Sequence, residues 1–281
     1  MSLKNYIMLH SLQNFAREFE PYQGEYVVIG GAACHLWLAE EQTHFRNTRD
    51  VDMVLLLQSR SMPFIKAFLD FAARVGYQAD SRLQPGGDTK RRPYRFRLAD
   101  NSDFPEMIEV LGPDNEAIRH TFEQRSIPVK VADEYSGLSC MLLDDAYYGL
   151  LKGSCTTVQG IPVVSREGLI ALKIKAFLNI QGLHRNGAVP PHGSDASMEN
   201  ARKHRKDVIA LLYLSRLRAT PVGPGIREDI VQFANQLLHE QAERDSLIRS
   251  VTSTQSLRHI PFDSAMLTEM MEGLLELFPL R

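Results

Sequence analysis

Residues 26–57, YVVIGGAACHLWLAEEQTHFRNTRDVDMVLLL, decide the reading of this chain. The stretch predicts a buried strand over Tyr26 to Ile29, a tight Gly30-Gly31 turn, a helix opened by Ala32, and a second strand that carries Asp50 and Asp52 into an apolar run. Successive strand side chains point to opposite faces, so Asp50 and Asp52 project together while Val51 and Met53 face the other layer. Two carboxylates held side by side repel each other. A divalent cation, commonly magnesium held through carboxylates and substrate phosphates, is the usual reason for such a pair. Glycines without a Cβ let backbone approach a ligand, and the helix behind them offers N–H groups and partial positive charge to a phosphate. Each signal alone has a plainer explanation, a tight connection for the glycines and a solvated strand end for the acids. Their order and closeness, with Arg46 and Thr48 just ahead of the acids, sets the stretch apart.

These residues resemble the first motif of the nucleotidyltransferase fold of the DNA polymerase β superfamily, and especially its AbiEii/MenT-like branch of toxin-type nucleotidyltransferases. That branch shows a GG-A-x-x-L helix followed by R-x-T-x-D-[IV]-D. Here Gly30, Gly31, Ala32, Leu36 or a nearby residue, Arg46, Thr48, Asp50, Val51 and Asp52 correspond to it. The resemblance implies an α+β fold, a nucleotidyltransferase-like mixed sheet with flanking helices plus a C-terminal helical domain.

Composition narrows the classes. A chain of 281 residues with 44% hydrophobic residues can bury a substantial core, as one large domain or two abutting ones. The formal net charge of −2 gives no global basic field to announce nucleic acid, although local clusters could still bind it. Cys34, Cys140 and Cys155 are odd in number and lack CxxC spacing, which argues against a disulfide framework or zinc ribbon and reads as buried thiols in a reducing compartment. The N-terminal stretch has no basic region followed by a continuous apolar one, no run approaches the roughly 20 apolar residues of a membrane span, and no fixed-period repeat is present. A cytoplasmic protein without membrane contact is the expectation.

Around the central stretch, the first twenty residues predict a lead-in helix covering an edge of the sheet, ended by Pro21 and Gly24, and Met62 to Val75 predicts a helix closed by Gly76. Pro85 to Asp88 marks a turn before the alternating Tyr94 to Leu98, with Lys90, Arg91 and Arg92 at its end as either a solvated cluster or a phosphate or RNA contact. Glu109 stands alone in the apolar strand Met107 to Leu111, so it either meets something cationic or lies at a sheet edge. In the family resembled, a third carboxylate, usually aspartate, occupies such a strand beside the Asp-x-Asp strand. Glu109 matches by position, with Glu106 and Asp103 as alternatives. Leu138 to Leu143 reads as a strand, Asp144-Asp145 as a cap or turn ahead of a short helix, Pro162 to Val164 as a last strand, and Ser165 as a helix N-cap.

Further on, SREGLIALKIKAFLNI and ARKHRKDVIALLYL resemble the family's later motif, a helix bearing L-x-x-L-K followed by one bearing K-D, with Lys173 and Asp207 at the matching positions. Two residues apart on a helix, Lys173 and Lys175 lie about 200° apart, so only one can face a given site. The intervening residues 182–200 read as a long loop, and its His184 and His192 as plain loop histidines rather than ligands. After the linker Pro221 to Gly225, amphipathic helices are expected from Ile226 to Glu243 and from Asp263 to Phe278.

The resulting expectation is an α/β domain over 1–164 and a helical domain over 165–281, with the substrate cleft between them. Asp50, Asp52 and Glu109 would hold two Mg2+ ions. Gly30, Gly31, Arg46, Thr48, Lys173 and Asp207 would bind the NTP substrate. The resemblance further implies tRNA as a possible acceptor and an antitoxin as a possible protein partner. Two alternatives stay open, a catalytically weak nucleotide-binding or interaction protein on the same fold and a small-molecule nucleotidyltransferase of the antibiotic-modifying kind.

Overall fold

The computed structural model describes residues 3–40, 50–56, 62–83, 89–99, 103–113, 126–128, 139–186, 197–214, 216–254, 257 and 260–281. The chain divides into two compact units, one of Met1–Leu36 with Asn47–Val164 and one of Trp37–Arg46 with Ser165–Arg281.

The first unit is α+β and is built on strand β1, Tyr26–Ile29, in which every residue is buried. A strand covered on both faces needs apolar residues at every position, and Tyr-Val-Val-Ile supplies them. β1 runs antiparallel to β2 (Asp50–Leu55) and parallel to the strand over Ile161–Val164. Between them in the chain come β3 (Gln78–Leu83), β4 (Thr89–Arg97), β5 (Met107–Pro113), β6 (Ser126–Pro128), β7 (Ser139–Leu143) and β8 (Cys155–Val158), which makes Ile161–Val164 β9. The nine described strands form one mixed sheet in the order β3-β4-β5-β2-β1-β9-β8, and β7 pairs with both β5 and β6. Its parallel pairs are β1 with β9, β2 with β5 and β5 with β7.

Four helices accompany the described sheet: α1 (Leu3–Glu18), α2 (Gly30–Glu40), α3 (Met62–Val75) and α4 (Asp145–Gly153). The lead-in helix α1 packs against α3 and the central strand β1, and its Gln13 reaches Gln159 in the turn between β8 and β9. Its Phe15, and Phe19 just beyond its end, pack with Phe64 and Phe71 of α3 around Tyr26 of β1, with Phe19 edge-on to Phe71 at 5.1 Å and Tyr26 stacked on Phe64 at 5.4 Å. Rings in such mixed edge-on and stacked pairs add specificity to their area burial, and here they lock both helices over a central strand. Gly76, with φ +94°, ends α3 as expected. The acidic pair before α4 is a cap, in which the Asp144 carboxylate accepts from the Tyr147 N–H at 3.0 Å. Cys34 is buried, whereas Cys155 on the edge strand β8 is exposed, contrary to the expectation for all three thiols.

The described residues of the second unit form helices α5 (Arg166–Arg185), α6 (Met198–Leu214), α7 (Pro224–His239), α8 (Gln241–Ser253) and α9 (Ser264–Leu277). Ser165 caps α5 by accepting from the Gly168 N–H, and Asp263 caps α9 by accepting from the Met266 N–H. The helix expected over Ile226 to Glu243 is interrupted, because Glu240 adopts extended angles (φ −90°, ψ 98°) and α8 begins after it. No proline or glycine marks that break. It accompanies a tertiary demand: Arg205 of α6, 1% exposed, binds the Glu243 carboxylate and backbone carbonyl and the Ser246 hydroxyl of α8. A buried guanidinium must be paired, and α8 supplies the partners. Trp37 belongs to this unit, under the Arg166 guanidinium at 4.5 Å from its ring centre. No helix among the described residues is long and apolar enough to cross a membrane.

Candidate active site

Strand register assembles the acidic residues. Asp52 of β2 lies opposite Glu109 of the parallel neighbour β5, and Asp50 lies opposite Met107. Glu109 in turn lies opposite Arg95 of the antiparallel neighbour β4. Residues directly opposite across a ladder share a face, so Asp52, Glu109 and Arg95 form one row across three adjacent strands with Asp50 one pleat along. The intervening Val51 and Met53 are fully buried on the other face, and this anchors the register.

Glu109 and Arg95 form an ion pair with side chains only 12% and 11% exposed. The cation that Glu109 needed is thus Arg95, and no sheet edge is involved. Burial first, then the nearby charges of Asp52 and Asp50, push the Glu109 carboxyl up to about 7 against the opposing pull of Arg95. Burial and the two like charges together outweigh the pull of the guanidinium, so the upward push prevails. The alternatives Glu106 and Asp103 are exposed ahead of β5 and outside this row.

Gly30 belongs to the helix rather than to a separate turn, since α2 starts there instead of at Ala32. The whole reversal from β1 is made by its left-handed backbone, φ +68°. A Cβ at this position would stand 1.8 Å from Asp52 Oδ2 and 2.8 Å from its Cγ. The missing side chain therefore makes room for a carboxylate of the protein itself, at the start of a helix where partial positive charge favours an anion. Gly31 follows within α2 and is buried.

The remaining site candidates are distributed differently. Arg46 and Thr48 lie outside the described residues, as does His192, and so do the side chains of Lys90, Arg91 and Arg92, whose backbone belongs to β4 rather than to the end of a turn. In the second unit Lys173 of α5 donates to Asp207 Oδ2 of α6 at 2.8 Å, with side chains 4% and 2% exposed. Lys175 reaches Asp229 of α7 at 2.9 Å and is more exposed. The two lysines thus serve different neighbouring helices, as their angular separation requires. His184 lies in the last turn of α5 and not in a loop.

No protein-family model matches the sequence, and no curated protein is similar to it. Distant solved structures align over most of the chain. An antigenic nucleotidyltransferase-like protein from Paracoccidioides brasiliensis is 15% identical, covering 92% of this chain and 99% of its own, with a TM-score of 0.43. JHP933 from Helicobacter pylori is 11% identical, covering 98% and 93%, with a TM-score of 0.37. Such distances leave the functional reading to the residues themselves.

Among the described residues, no three His, Cys, Asp or Glu side chains form a ready cage for a metal ion. Magnesium does not require one, because it keeps several waters and is held through one or two carboxylates together with substrate phosphates. Asp50 and Asp52 offer that donor set on one strand face, and Glu109, opposite Asp52 in register, adds a third acid to the same row. The residues therefore fit the ion. Arg95 escaped the sequence reading. The available signals were the alternation of Tyr94 to Leu98, which sets Arg95 and Phe96 on opposite faces, and the lone acid on β5 that required a cation.

Proposed function

We propose that this chain is a metal-dependent nucleotidyltransferase of the DNA polymerase β superfamily, moving a nucleoside monophosphate from an NTP to an acceptor hydroxyl. The observation that carries the reading is the row Asp52, Glu109 and Arg95, with Asp50 beside it and Gly30 opened to admit the Asp52 carboxylate. In the reaction, the acceptor oxygen forms a bond to the α-phosphorus while the bond to the bridging oxygen breaks, and pyrophosphate leaves with the electron pair. Two magnesium ions, when bound, would offset the charge of the triphosphate and lower the pKa of the acceptor hydroxyl. Asp50 and Asp52 would hold them, and Gly30 would keep Asp52 in place. Glu109, in the same row, would complete the second ion's site and so favour loss of the acceptor's proton. By the motif resemblance Gly31, Arg46 and Thr48 would bear on the triphosphate, a positioning and electrostatic role of the kind that dominates phosphoryl transfer, and Lys173, held by Asp207 within the second unit, keeps the nucleotide-binding role that the resemblance implies.

The finer assignment, a toxin acting on tRNA and restrained by an antitoxin, rests on the motif resemblance alone. It is tested by incubating purified protein with each labelled NTP, magnesium and total RNA, then separating RNA, protein and small molecules. Label in tRNA supports the toxin reading, and label in another RNA or in protein keeps the transferase reading with a different acceptor. Label in a small molecule supports the antibiotic-modifying type. NTP binding without transfer under any condition would overturn the transferase reading in favour of a nucleotide-binding protein.

A further inference from the structure

Within the acidic row, Arg95 occupies a position that neither the motifs nor the transfer chemistry assigns. It approaches Glu109 from β4, on the side opposite to Asp52 on β2, so the Glu109 carboxylate lies between a guanidinium and the acidic pair. Arg95 and Glu109 are nearly buried, and among the described residues Asp50 and Asp52 are the further charges that act on Glu109. A guanidinium cannot lose its proton, and its planar fork binds a carboxylate firmly. Its charge is therefore a fixed feature of the site, present with or without a metal.

We infer that Arg95 is a positioning residue that acts as a built-in counter-ion, holding Glu109 in the absence of a divalent cation and competing with that cation for it. The inference rests on the metal-dependent reading of the same site. Its consequence is that bare metal binds weakly, since a cation drawn to Asp50 and Asp52 meets the field of Arg95 and a third carboxylate already engaged. Removing the guanidinium releases Glu109 and deletes a repelling charge at once.

The test measures Mn2+ binding, by the loss of the free-ion EPR signal, to the full chain without nucleotide. R95Q is expected to bind Mn2+ about fivefold or more tightly than the unsubstituted protein, because a close like charge has been removed from a poorly solvated site. In an E109Q background the gain from R95Q should shrink at least about twofold, since the contested carboxylate is gone. R95K keeps the charge but not the fork and should fall between, and it serves as the test if R95Q does not fold. Unchanged or weaker Mn2+ binding in R95Q, or in R95K where it replaces R95Q, overturns the inference. So does an equal gain with and without Glu109, which would make Arg95 a distant charge only, and so does absence of Mn2+ binding in every form. Nucleotide transfer is scored separately: if no form transfers label yet R95Q gains Mn2+ affinity through Glu109, the transfer reading fails and the counter-ion role stands.

Discussion

At Gly30 a hydrogen in place of a methyl group decides whether Asp52 can stand where it does. Gly30→Ala would set a Cβ 1.8 Å from Asp52 Oδ2 on a left-handed backbone, so it should cost about 1–3 kcal/mol from backbone strain alone and displace the carboxylate. Gly149→Ala, in the exposed interior of α4 with nothing within 4 Å, should be neutral or stabilising by up to about 1 kcal/mol. Denaturant titration of the two variants checks the contrast, and equal effects would mean that the Asp52 contact does not constrain position 30. Asp52→Asn keeps the shape but lowers the charge, and on the proposed chemistry it should reduce transfer on the order of 10³-fold or more while NTP binding and folding persist. If the protein is toxic when expressed, that toxicity should vanish with it, and full activity of the variant would sink the mechanism. Glu109 makes the stability of the metal-free protein pH-dependent. Its folded-state value of about 7 lies above the ordinary 4.5, so the folded protein holds this proton more tightly than the unfolded chain does. That contribution is complete below about 4.5 and is lost as pH rises through about 7, on the order of 3 kcal/mol in all. In chelator, the stability of the unsubstituted protein relative to Glu109→Gln should therefore fall between pH 5 and pH 8. A constant difference would show that Glu109 titrates normally.

Between elements, charge pairs tie the helices of the second unit together with unequal strength. The α5 to α6 pair, Lys173 with Asp207, is almost fully buried, whereas the α5 to α7 pair, Lys175 with Asp229, is partly solvated. Lys173→Met would leave Asp207 buried beside an apolar group and should destabilise the protein by about 3–5 kcal/mol, while Lys173→Met with Asp207→Leu should recover most of that loss. Lys175→Ala should cost about 1 kcal/mol or less. Thermal unfolding of the three variants tests the ranking. The double variant also separates folding from function: if it is stable yet inactive in the transfer assay, Lys173 contributes to the chemistry, and if it is active, the pair is structural only. The break between α7 and α8 illustrates another unequal balance. Local sequence permits a continuous helix across Glu240, and the buried Arg205 and its partners on α8 accompany the other choice.

On the scale of the whole molecule, two units carry different parts of the candidate machinery, the acidic row in the first and the Lys173 pair in the second. Trp37 is the one tryptophan of the chain and belongs with the second unit, so its emission reports on that unit. Arg166→Ala removes the guanidinium above its ring and should change the emission spectrum with little change in far-UV circular dichroism. An unaltered spectrum would mean that the cation and the ring do not meet in solution. Much of this architecture was legible in the residues because local patterns obey local physics. Apolar runs, caps and strand alternation placed β1, β2, β5, α3 and the Ser165 and Asp144 caps, and the two-residue spacing put Asp50 and Asp52 on one face. A strand pattern states which face a side chain takes but not which strand lies beside it. The register that sets Glu109 between Asp52 and Arg95 was therefore decided only when the sheet assembled, as were the use of Gly30 to admit a carboxylate and the burial of Lys173 against Asp207. By itself the sequence determined the acids, the glycines and the faces they share. Tertiary structure decided their partners, because pairing energies in a poorly solvated interior depend on neighbours that are distant along the chain.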